Sequence, residues 1–181
     1  MSRPQQENHV LVSGVTGVDT PGLLQLTRRV NDSGLKILEA RSAVLGSSVW
    51  IGCYASGSWD AVAKLESAIG RLEREEGLKF SVQRSEPRAL KGDLLPYLVE
   101  VVAADRPGAL FLLTEFFSSR AISIEQLNAS RYQAAQTGAE MFSAQLTIGI
   151  PAKTHIAALR DDFLEFCDSQ NLDAILDPVK F

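Results

Sequence analysis

The chain has 181 residues, 45% of them apolar and 22% charged, with a net charge of −4. These proportions exclude disorder as the default state, and the length suits two domains of roughly 80 to 90 residues. The acidic balance argues against direct nucleic-acid binding, because the nearest basic series, Arg84, Arg88 and Lys91, is sparse and broken by Glu86 and Pro87.

Two cysteines, Cys53 and Cys167, stand apart among apolar neighbours. That usage fits buried free thiols in a reducing compartment and supports neither a disulfide framework nor a zinc site. No apolar run reaches the roughly 18 to 20 residues of a membrane span, and Met1 to Asn8 carry no hydrophobic stretch of a signal peptide. The expected location is the cytoplasm, with no membrane contact.

In chain order, Val10 to Val15 is a short apolar run ending at glycine and predicts a strand. The turn Asp19-Thr20-Pro21-Gly22 follows, then a helix with Leu23, Leu26 and Val30 on one face. Strands are expected from Lys36 to Leu45 and, after Gly46-Ser47-Ser48, from Val49 to Ser56. In the latter, Trp50 and Tyr54 share one side, with Val49, Ile51 and Cys53 on the other. A second helix carries the stripe Val62, Leu65, Ile69 and Leu72; Ser58 can cap it and Trp59 can tuck against the sheet. A strand from Lys79 to Arg84 closes the unit.

The order then repeats. Asp105-Arg106-Pro107-Gly108 recurs after a strand from Tyr97 to Ala104, and the register holds without gaps through Glu39 and Glu125. Leu110, Leu113 and Phe117 mark the next helix. Strands follow over Ile122 to Tyr132 and Glu140 to Ile150, then a helix with Ile156, Leu159, Phe163 and Phe166, then a strand from Asp173 to Val179. The β-α-β-β-α-β order, found twice, predicts an α+β protein of two ferredoxin-like domains in tandem, each an antiparallel sheet with helices on one face. The expected boundaries are 9–84 and 96–181, with a linker at 85–95 that contains Pro87 and Gly92. The helix-free face, apolar in part, is expected to pack against another sheet or a partner.

The Asp-x-Pro-Gly turn has two readings. As plain structure it starts a helix: proline suits the first turn, and the aspartate reaches the amide of Gly22 or Gly108 as a cap. As a site, a helix N-terminus beside glycine offers free amides to a small carboxylate.

The strand–turn–helix pattern resembles the ACT domain. Ala40 to Gly46 followed by Ser56-Gly57-Ser58-Trp59 resembles, more closely, the glycine cleavage system transcriptional repressor family, over nearly the whole chain from His9 onward. That resemblance implies a tandem ACT regulatory protein that binds a LysR-type transcriptional activator and holds it in a repressing state, with glycine relieving the hold. It also implies ligand contacts at Asp19, Thr20, Gly22 and Leu23 with Lys36, and at Asp105, Arg106, Gly108 and Ala109 with Ser123. Lys36 and Ser123 stand where amino-acid-binding relatives often place asparagine. The expected partners are that activator, a small amino acid such as glycine and, as an open alternative, further copies of the chain. No cofactor or metal is expected.

His9 and His155 lack the companions that metal or acid–base chemistry needs and read as surface or capping residues. Ser13 to Gly17 lacks the lysine of a phosphate loop. Asp161 and Asp162 point apart on a helix. With no catalytic constellation, an enzyme is not expected. The alternatives kept open are an ACT-fold interaction module and a sensor of another amino acid.

Overall fold

The computed structural model describes residues 7–89 and 93–180. Residues 90–92, inside the expected linker, and Phe181 lie outside them. The chain divides into two compact units, residues 1–89 and 90–181. Unit 1 runs β1 (Asn8–Gly17), α1 (Gly22–Asp32), β2 (Lys36–Leu45), β3 (Ser48–Gly57), α2 (Trp59–Glu76) and β4 (Phe80–Ser85). Unit 2 runs β5 (Leu94–Ala104), α3 (Ala109–Ser118), β6 (Ser123–Gln133), β7 (Glu140–Pro151), α4 (Ile156–Ser169) and β8 (Asp173–Pro178). Each unit holds a four-stranded antiparallel sheet, ordered β2-β3-β1-β4 and β6-β7-β5-β8. The ferredoxin-like βαββαβ fold is therefore present twice. The fifth strand begins at Leu94, three residues before Tyr97, because Leu94 and Leu95 continue the ladder to Pro151 and Ile150.

Period-two alternation selects the core. Val10 and Val12 of β1 and Ile51, Cys53 and Ala55 of β3 point to the helices and are buried with Leu26, Val30, Val62, Leu65, Ile69 and Leu72. In unit 2, Val99, Val101, Leu146 and Ile148 meet Leu113, Phe117, Leu159 and Phe163. Burying each such side chain contributes about 1.5–3 kcal/mol. Phe116, Phe117, Phe163 and Phe166 form a cluster with centroids 4.9 to 5.3 Å apart, so unit 2 is centred on rings where unit 1 uses aliphatic chains.

The helix ends divide between expectation and surprise. Ser58 caps α2 by accepting from Ala61 N–H at 3.2 Å, and His155 caps α4 by accepting from Ala158 N–H at Nδ1, also 3.2 Å. Both cysteines are buried and free. Trp59, expected against the sheet, is instead exposed on the first turn of α2. Leu26 and Val30 are buried on α1 as expected, but Leu23 is exposed and Gly22 takes the first position of the buried stripe.

On the helix-free face of unit 1 the ring of Tyr54 stacks on His9, 5.5 Å between centroids, and Leu11, Val15 and Trp50 stay exposed. The corresponding face of unit 2 is polar at its centre, where Gln145 donates to Glu100 at 2.9 Å. The outer strands β2 and β6 are exposed over nearly their whole length. No helix among the described residues is long and apolar enough to cross a membrane.

Candidate functional site

The repeated turn keeps its sequence and changes its geometry. In neither unit does the aspartate cap the helix. Pro21 is the N-cap of α1, with no side-chain hydrogen bond, and the Gly22 N–H expected to meet Asp19 donates to Thr20 O at 2.8 Å. Gly108 is the N-cap of α3 in the left-handed region, φ +86°, again without a side-chain cap. The physical reason lies in spacing. One extra residue separates the inward-facing Thr16 from Asp19, compared with Ala103 and Asp105, so the two turns leave their sheets at different phases.

In unit 1 the turn is packed down. A methyl group on Gly22 would lie 2.5 Å from Thr16 Cγ2. Thr16 is buried, and its hydroxyl has no hydrogen-bond partner. In unit 2 the turn stands open. Nothing lies within 4 Å of where a Gly108 Cβ would be, and a groove of about 440 Å³ opens beside it. Its lining is the turn from Asp105 to Leu110, Ala129 to Arg131 of β6, and Phe142 of β7. Asp105 N–H donates to Glu140 O at 2.9 Å, which fixes the turn to the sheet. The first bond inside α3 runs from Leu112 N–H to Gly108 O, leaving the amides ahead of it without helical partners.

Arg131 supplies the charge. Its Nε lies 3.1 Å from Asp105 Oδ1, and Asp105 is four-fifths buried while Arg131 is mostly exposed. The contact is a Coulombic pairing rather than a directed hydrogen bond: Asp105 Oδ1 is buried without a donor aimed at it. Arg106 turns away toward α4, where it donates to Gln170 Oε1 at 3.3 Å.

The turns and the second-strand starts do not meet within a unit. Lys36 pairs with Ser56 and Ser123 with Gly149, at the end of each sheet opposite the turn. From Lys36 to Leu45 the strand covers about 30 Å at 3.3 Å per residue. Lys36 is exposed, and Ser123 donates to Glu125 Oε1 at 2.5 Å. Of the expected contact residues, Asp105, Arg106, Gly108 and Ala109 lie together on one groove lip, whose other side is Ala129, Ser130, Arg131 and Phe142, none of which the sequence reading named. A signal for Arg131 existed. It occupies a helix-facing register, opposite Phe142, where unit 1 has Val44 opposite Val49. A cation in place of an apolar residue at an inward position of a repeat marks a local departure.

The sequence profile described as the ACT domain matches residues 9–83. That match spans nearly all of the first unit. Unit 2 repeats its fold, so the protein is a tandem of ACT-fold units. The chain is 27% identical over 174 residues, covering 96% of itself and 92% of the relative, to the glycine cleavage system transcriptional repressor of Escherichia coli (strain K12). The protein of the same name in Shigella flexneri gives the same figures. Both names describe a regulator rather than an enzyme. Among solved structures, a protein provisionally assigned as a glycine cleavage system transcriptional repressor superposes with a TM-score of 0.74 at 20% identity, covering 97% of this chain and 99% of that one. A protein of unknown role from Galdieria sulphuraria gives 0.76 at 16% identity, covering 97% and 100%. At such identities the superpositions bear on the tandem ACT fold alone.

Proposed function

We propose that this tandem ACT protein is an amino-acid-responsive repressor of glycine cleavage genes. It acts by binding a LysR-type transcriptional activator, and glycine relieves the repression. The observation that carries this reading is the similarity to curated repressors from end to end, 96% of this chain and 92% of theirs, rather than over one unit. The open groove at the unit 2 turn supports the amino-acid half. The net charge of −4 and the absence of a dense basic run support action through another protein rather than on DNA.

The test uses a gel-shift assay with the activator and its promoter. The chain alone is expected to leave the DNA unshifted, to alter the mobility of the activator–DNA complex, and to lose that effect when glycine is added. A chain that shifts the promoter unaided overturns the indirect mechanism. A chain that binds amino acids but never engages the activator leaves an amino-acid sensor of another pathway.

A further inference from the structure

We infer that the chain binds one α-amino acid, in the unit 2 groove, and that Arg131, rather than the repeated turn, decides where it binds. The inference rests on the amino-acid-responsive reading above and sharpens its chemistry. A free α-amino acid carries a carboxylate and an ammonium on one carbon. Arg131 offers a planar guanidinium suited to the carboxylate. Asp105 offers the ammonium a buried oxygen with no directed donor.

A zwitterion entering between them replaces one ion pair by two. Neither residue is left uncompensated, which is the condition for breaking a partly buried pair at low cost. Ligands bearing only one of the two charges satisfy one residue and strand the other. Pro107, Leu110 and Phe142 line the rest of the groove and set an apolar wall beside the α-carbon.

Unit 1 cannot repeat this arrangement. The register that holds Arg131 in unit 2 holds Val44 in unit 1, so no guanidinium reaches the turn from that strand position. Gly22 N–H is already taken by Thr20 O, and Gly22 is buried against Thr16. The same four-residue motif is thus an open lip in one unit and a packed helix start in the other.

The experiment is calorimetric titration of the full chain with glycine, alanine, serine and leucine in separate runs, together with backbone amide NMR. One equivalent per chain is expected, with shifts at 105–110 and 129–131 and none at 19–23. Arg131→Leu is expected to weaken binding at least tenfold, Arg131→Lys less, and Asp19→Ala by less than twofold. Glycinamide and acetate, each carrying one of the two charges, are expected to bind at least tenfold more weakly than glycine. Two equivalents, shifts at the unit 1 turn, or an Arg131→Leu chain that binds like the parent would overturn the inference while leaving amino-acid sensing intact. No heat and no shifts with any amino acid would overturn both together. Unchanged amide spectra away from the groove establish that the Arg131 variants are folded.

Discussion

Gly22 sits so close over Thr16 that a methyl group at residue 22 would fall 2.5 Å from the Thr16 Cγ2 atom and 2.7 Å from its Oγ1. Real carbon atoms do not approach that closely, so the contact admits glycine alone without movement of β1 or α1. Gly22→Ala is expected to destabilise unit 1 by about 1–3 kcal/mol through overpacking. Gly108→Ala meets no such wall, but carries a side chain into φ +86° and is expected to cost about 1–2 kcal/mol of backbone strain. Urea midpoints of both variants check the pair. A Gly22→Ala variant as stable as the parent would mean that α1 does not lie this close over Thr16.

The buried Thr16 hydroxyl has no partner. Leaving such a group unmade is unfavourable, whereas an apolar group of the same shape removes the penalty. Thr16→Val keeps the β-branched shape and should therefore leave stability unchanged or raise it by up to about 1 kcal/mol. A loss of more than that amount in thermal or urea unfolding would show that Thr16 Oγ1 is bonded after all.

Two helix caps sit in different units and use different chemistry: the Ser58 hydroxyl and the His155 imidazole Nδ1. Replacing either with alanine leaves one helix amide without its side-chain acceptor and is expected to cost about 1 kcal/mol. The two caps belong to separate units, so the double variant should show the sum. Denaturation of the two single variants and the double variant measures this directly.

Burial and the nearby Asp168 carboxylate push the Cys167 thiol up to about 12, and burial alone raises Cys53. In the unfolded chain both thiols ionise near their ordinary value of 9.0. The fold therefore favours the neutral forms. Their contribution is intact below about pH 9 and is lost as the pH climbs toward 12. Stability measured between pH 8 and 11 should fall, and the fall should be shallower in Cys167→Ala than in the parent. At neutral pH, a thiol reagent should react with neither cysteine until the protein unfolds.

Element order, both helix pairs and the duplication were legible because the apolar runs of the strands, the repeated turn and the 3.6-residue stripe of α2 are each strong enough to read without tertiary context. The first position of the α1 stripe was not: Leu23 is exposed, and Gly22 takes the buried place because it lies so close over Thr16 that a side chain there would collide. At the site, the turn itself could be found by its repetition, but its conformation could not, since one residue between Thr16 and Asp19 changes how the turn leaves the sheet. Lys36 and Ser123 are near the turn in sequence terms and at the far end of the sheet in space, a separation that only strand direction reveals. Arg131 required the opposite step: comparing ladder positions between copies rather than motifs.

The two long outer strands leave a recognisable pattern in amide hydrogen exchange. In an antiparallel edge strand, alternate N–H groups bond inward and the intervening ones face water. Residues of β2 and β6 should therefore exchange like the teeth of a comb, slow and fast by turns, interrupted at the bulges between Ile37 and Glu39 and between Ile124 and Gln126. The inner strands β1, β3, β5 and β7 should be slow throughout. Any strand laid along either edge would fill the fast positions and erase the alternation, so the exchange pattern reports occupancy of each edge residue by residue.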